Sequence, residues 1–99
     1  MSFVPVTVVA RIQAQAGRES ELREILSALL APTRGEEGCL NYDLHQAAED
    51  PTVFLFHENW RSREDLDRHL GSAHVTEALG RAAPLVAGAP EIGLYSRVG

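Results

Sequence analysis

The chain has a single cysteine, Cys39, so it cannot close a disulfide on itself, and a reducing, cytoplasmic setting is expected. It lacks any apolar run near the ~18 residues that a membrane span needs. It also lacks a basic block, and its N-terminus shows no charged region followed by an apolar segment. With a net charge of −5 spread without long runs, nucleic acid and anionic membranes are poor partners. Missing too are a Gly-x-Gly-x-x-Gly turn, a Walker loop, a Gly-x-Ser-x-Gly elbow and a cysteine pair. Nucleotide, flavin and covalent serine chemistry thereby lose their usual sequence signals.

What is present is ordinary globular material. Hydrophobic residues make up 44% and charged residues 23% of 99 positions, enough for one small domain over residues 1–99. A domain of this size buries only about two-thirds of its unfolded surface, so pairing with a second copy is a natural way to cover more.

Residues 3–14 are rich in β-branched and small apolar types, and from Thr7 to Gln13 they alternate. Val4, Val6, Val8, Ala10, Ile12 and Ala14 face one side, while Thr7, Arg11 and Gln13 face the other, which predicts a half-buried strand. After Gly17, the spacing of Leu22, Ile25, Leu26, Leu29 and Leu30 predicts an amphipathic helix that Pro32 and Gly35 close. Leu40, Tyr42 and Leu44 then share one face of a second strand. A polar turn at Ala47–Pro51 leads to a third strand over Thr52–Trp60. Keeping the apolar residues together pairs Gln46 with Thr52, Leu44 with Phe54, Tyr42 with Phe56 and Asn41 with His57. Ser62 and Asp65 resemble a capping box and predict a helix near Arg63–Leu70. Gly71 breaks it, and Ser72 caps a further helix whose face carries Val75, Ala78, Leu79 and Ala82. Ile92, Leu94, Ser96 and Val98 alternate as a last strand.

The order β-α-β-β-α-β is the ferredoxin-like pattern: an α+β fold with helices on one face of a four-stranded antiparallel sheet. Nothing in the chain is left to cover the other face, so a homodimer packed sheet against sheet is expected.

At this point several stretches resemble the antibiotic biosynthesis monooxygenase (ABM) family of dimeric α+β barrels. They are Glu36-Glu37-Gly38-Cys39-Leu40-Asn41-Tyr42, Glu58-Asn59-Trp60-Arg61-Ser62, Leu66-Asp67-Arg68-His69-Leu70 and Ser72-Ala73-His74. The likeness covers essentially the whole chain and is nearest in look to small bacterial quinol monooxygenases. The resemblance implies cofactor-independent oxygenation of electron-rich aromatics such as quinols or polyphenols, with O2 as co-substrate. The heme-degrading branch of the family uses an Asn on the first strand and a late His, where this sequence has Ala10 and Leu79.

The stretch from Val53 to His74 holds the only tryptophan and three of the four histidines, and it is expected to line a pocket between sheet and helices. Glu58 shares a face with Phe54 and Phe56, and a carboxylate desolvated there would rise in pKa and could take a phenolic proton. His74, opening a new segment after the Gly71 break, is the favoured base, with Glu58 and His69 as the other catalytic candidates. Trp60, Phe54 and Phe56 would sandwich the substrate ring and Tyr42 would orient its hydroxyl. Cys39 has no neighbour that would activate a thiolate.

A metal site is not expected. His45 and His57 fall about 13 Å apart in the assumed register, too far for one metal ion, and no Cys or Asp/Glu cluster completes a site. His57 instead suits a polar contact with Asn41 on the open face. Two other activities fit the same residues. One is a non-oxidative isomerase of a small carbonyl metabolite, for which Arg11 and Arg81 would be the pocket cations. The other is a protein that binds a hydrophobic metabolite without turnover.

Overall fold

The computed structural model describes residues 3–99. Strand β1 (Val6–Gln13) is followed by helices α1 (Glu19–Ser27) and α2 (Leu30–Arg34). Then come strands β2 (Cys39–Gln46) and β3 (Val53–Trp60), helices α3 (Arg63–Leu70) and α4 (Ala73–Ala82), a short 3-10 turn and strand β4 (Glu91–Tyr95). The sheet runs β2-β3-β1-β4 with every pairing antiparallel. This is the ferredoxin-like architecture that the sequence predicts. Among the described residues, no helix is long and apolar enough to cross a membrane.

The alternation in β1 and β3 does what period two requires. Val8, Ala10, Ile12, Phe54, Phe56, Glu58 and Trp60 all turn to the helix side and are buried. The apolar ones meet Leu22, Ile25, Leu26, Leu66, Val75 and Ala78 from the helices in one continuous core. Each fully buried large apolar side chain there contributes about 1.5–3 kcal/mol.

Several local expectations give way. The β2–β3 register is displaced by two residues: Tyr42 lies opposite Glu58, Leu44 opposite Phe56 and Gln46 opposite Phe54. A slip of two leaves every side chain on its intended face, which is why hydrophobic pattern could not detect it. His45 consequently pairs with Leu55 and His57 with Asp43, so the two histidines are diagonal neighbours, roughly 7–8 Å apart rather than 13 Å. An irregularity between Cys39 and Asn41 turns Cys39 toward the core and puts Leu40 outside at 61% exposure, against the expected Leu40–Tyr42–Leu44 face.

The first helix is broken in two because Pro32 has no N–H to answer the Ala28 carbonyl, and the chain tightens at Leu29 before α2 begins. In α4, Val75, Ala78 and Ala82 are buried but Leu79 is exposed. Strand β4 stops at Tyr95, short of Val98, and as an edge strand it leaves Ile92 and Leu94 largely uncovered.

The face away from the helices is lined by Thr7, Val9, Arg11, Leu55, His57 and Asn59. A polar chain crosses it: Thr7 donates to Asn59, Asn59 to Asn41 (2.7 Å), and Asn41 to Asp43 (3.0 Å) and the His57 carbonyl (3.1 Å). Asn41 thus reaches His57 as expected, although it pairs in the ladder with Asn59.

Candidate active site

Three segments converge at the end of β3: the turn before β2, the end of α3 and the start of α4. The turn is set by Gly38, whose φ of 85° is a left-handed conformation that suits glycine. A Cβ at Gly38 would also overlap the side chain of Asp65. Asp65 is 2% exposed. It receives Arg61 through both carboxylate oxygens (2.9 and 3.0 Å), the Ser62 hydroxyl (2.8 Å) and Arg68 (3.1 Å). These donors hold its carboxyl below the usual range, hydrogen bonds from Arg61 and Ser62 foremost. Ser62 Oγ in turn caps α3 by accepting from the Asp65 amide. The start of α3 and the Glu36–Cys39 turn are therefore locked together, and Glu36 is held over α3.

His69 lies on the inner face of α3 and is 2% exposed. Its ring stacks on Trp60 (4.6 Å between centroids) and meets Tyr42 edge-on (5.3 Å). Tyr42 packs on Phe56 at 4.9 Å. At the α3–α4 corner, Ser72 donates its hydroxyl to the His69 carbonyl (2.6 Å) and caps α4, which brings His74 back toward His69. One oxygen of Glu36, Oε2, then lies 2.6 Å from His69 Nδ1 and 3.0 Å from His74 Nε2.

The network fixes the ring protons. Ser72 has spent its only proton on the His69 carbonyl, so toward His74 Nε2, 3.4 Å away, it can only accept. An ionised Glu36 also only accepts. His74 therefore carries its proton on Nε2 and His69 on Nδ1. His69 is left with a lone pair on Nε2, which no hydrogen bond occupies among the described residues. Burial lowers the His69 pKa, with Glu36 opposing, which favours the neutral ring.

Glu58 is the second unusual group. It is 5% exposed, and among the described residues its one side-chain hydrogen bond is from Trp60 Nε1 (2.9 Å). Burial pushes its pKa up to about 7, the Trp60 bond pulling the other way and Glu36 adding to the rise. Burial, with Glu58 across the strand, also keeps the Tyr42 phenol protonated far above neutral pH.

The structure thus gathers Glu58, His69, Trp60, Tyr42 and Phe56, with His74 at the rim. It does not gather Phe54, which lies six positions before Trp60, roughly 20 Å along the strand, in the apolar core. The expected open pocket between sheet and helices is closed in this structure, with Trp60, Tyr42 and His69 almost fully buried. An open depression of about 780 Å³ lies instead on the other face, between Val4, Thr7, Leu40, His57 and Tyr95. Arg11 and Arg81 are both exposed and take no part in the cluster.

Glu36 is the residue that sequence reasoning did not single out. It is 33 and 38 positions from its two partners, and its only signal was a place in the Glu-Glu-Gly stretch. Its arrival also corrects the expectation that no Asp or Glu completes a set of metal-type donors, since Glu36, His69 and His74 offer donor atoms within 4.8 Å of one another.

Residues 5–81 match the family model described as antibiotic biosynthesis monooxygenase. The chain belongs to this family. A Mycobacterium tuberculosis relative named "Putative monooxygenase Rv0793" is 46% identical over 70 residues, covering 71% of this chain and 68% of the relative. An uncharacterized protein of Synechocystis, sll1783, is 29% identical over 91 residues; they make up 92% of this ABM chain but only 62% of that one. Among solved structures, PA3566 from Pseudomonas aeruginosa superposes with a TM-score of 0.93 at 34% identity, covering 100% of this chain and 99% of that one. The Glu36–His69–His74 cluster and Glu58 both lie within the matched span.

Proposed function

We propose that this ABM-family protein is a monooxygenase of quinols or related polyphenols that works without a bound organic cofactor. The observation that carries the reading is the His69 imidazole. Its Nδ1–H is tied to Glu36, its Nε2 has no hydrogen-bond partner among the described residues, and its ring is enclosed by Trp60 and Tyr42. A carboxylate that fixes one ring nitrogen so that the other can act as base is a recurrent catalytic arrangement. This moves the base from His74, favoured on sequence, to His69. His74 becomes a second donor to Glu36.

In the proposed reaction His69 Nε2 removes a phenolic proton, making an anion that can reduce O2. One oxygen atom enters the ring and the other leaves as water, so a quinol and O2 become a hydroxyquinone and H2O. The substrate supplies all four electrons. Glu58, with a pKa near 7, can give or take a proton at neutral pH beside the same rings. Substrate would enter at the rim, where the Glu36 and His74 side chains are 17% and 28% exposed, by parting the His69–Trp60 stack.

The name of the mycobacterial relative supports this class of reaction. The isomerase alternative calls for cations around the site, and Arg11 and Arg81 are exposed elsewhere. The working form is proposed to be a homodimer through the open sheet face, where Leu40 (61%) and Tyr95 (56%) are exposed. Molar mass in solution tests that part.

The test is oxygen uptake by metal-depleted protein against a panel of reduced quinols and polyphenols. Uptake above autoxidation is expected, falling about 10²–10⁴-fold in His69→Ala and less in His74→Ala. A His69→Ala protein that is folded and fully active would remove this base, and no uptake with any compound would remove the oxygenase.

A further inference from the structure

The same three residues that hold the base have the make-up of a metal site. Two imidazoles and one carboxylate are the donors that zinc and other first-row divalent ions take when they keep open positions for a further ligand. Here they come from three separate segments and converge on one point, with all donor atoms within 4.8 Å. Their side-chain exposure is graded, from 3% at His69 through 17% at Glu36 to 28% at His74, so an ion has an approach from solvent.

Supporting contacts are already in place. Ser72 borders His74 and holds the His69 carbonyl, and the Gly38–Asp65 lock fixes the turn that carries Glu36. An ion about 2.0–2.2 Å from each donor keeps neighbouring donors roughly 3–3.6 Å apart. The 2.6 Å contact between Glu36 and His69 must therefore open by up to about an ångström, and the widest donor separation, within 4.8 Å, must close by about as much, through the half-buried Glu36 side chain and His74 at the rim.

We propose that Glu36, His69 and His74 bind one divalent first-row transition ion, and that its binding excludes base catalysis by His69. The exclusion follows from the ring protons. A metal takes the lone pair of His69 Nδ1, so the one ring proton of the neutral imidazole must sit on Nε2, the atom proposed as base. In the same way His74 gives up the proton on Nε2 and keeps one on Nδ1. No electron is transferred, and each histidine only changes tautomer. The site therefore acts as an inhibitory switch, on or off with metal supply. This second half rests on the proposed role of His69, whereas the site itself does not.

The experiment titrates metal-depleted protein with Co²⁺, following its visible absorption, and then displaces it with Zn²⁺. One equivalent per chain is expected, weakened at least about 10-fold in both Glu36→Gln and His74→Ala, the least that losing even a contact behind a metal ligand costs. His74 is at the rim, so its variant keeps the fold even if Glu36→Gln does not. Binding that is unchanged in folded variants, or no binding at millimolar metal, overturns the site. Nitrogen-15 spectra of the His69 ring should show the proton moving from Nδ1 to Nε2 on adding Zn²⁺, and an unchanged tautomer overturns the exclusion. Oxygen uptake, where a quinol supports it, should fall in proportion to Zn²⁺ bound. Uptake unchanged or raised at full occupancy would leave the site standing and overturn its inhibitory role.

Discussion

Asp65 and Glu58 are both almost fully buried acids, seven positions apart, and their surroundings drive them in opposite directions. Asp65 meets two arginines and a serine hydroxyl, and its pKa falls; Glu58 meets aromatic rings and a single indole N–H, and its pKa climbs to about 7. The first carboxylate ties a turn to a helix. The second stays near its protonation midpoint at neutral pH, inside the cluster that contains His69. Burial alone does not single out a candidate site acid; burial without compensating cations does.

Gly38→Ala should produce the largest change in stability. The left-handed backbone costs about 1–2 kcal/mol and the overlap with Asp65 about 1–3 kcal/mol more, so chemical denaturation should show a loss of about 2–5 kcal/mol. A loss well under 1 kcal/mol would mean that the lock around Asp65 is loose.

The pH dependence of stability tests the two acids against each other. Glu58 has a folded-state pKa of about 7 against an ordinary 4.5, so its contribution to stability is complete below pH 4.5 and is lost as pH rises through 7. Glu58→Gln should remove that slope and be the more stable protein at pH 8, by up to about 3 kcal/mol. Equal slopes for the two proteins between pH 4.5 and 7 would contradict the shift.

Asp65 is the mirror case. Its folded-state pKa lies below 3.8, so its contribution is present above that value and is lost as pH falls through the lowered one. Asp65→Asn should therefore cost stability at pH 7 and converge with the parent in acid, as thermal unfolding across pH would show. A deficit that persists unchanged at low pH would assign the effect to packing instead. The smallest effect expected is from Ser62→Ala, about 1 kcal/mol for the lost helix cap, slightly more if the hydroxyl's bond to Asp65 counts.

Much of this was legible in the chain itself. The alternation of β1 and β3, the capping serines 62 and 72, and the break at Gly71 each reflect local chemistry, and each appears where the pattern puts it. The burial of Glu58 also followed from its place between Phe56 and Trp60. The β2–β3 register did not, because a two-residue slip keeps every face intact. Nor did the turned-out Leu40, since a single irregular residue at the start of a strand leaves no mark on alternation. His69 and His74 were visible as candidates, but their ranking depended on a partner that lies in another segment.

The sequence by itself determined the element order, the inward face of each strand and the family to which the chain belongs, because these depend on residue type and short-range spacing. Only the tertiary structure decided which acid is compensated and which is not, and that Glu36 stands between two histidines. Those outcomes depend on contacts between residues 33 and 38 positions apart, and on a glycine whose missing side chain makes room for Asp65. Local pattern holds no information about such distances; folding supplies it.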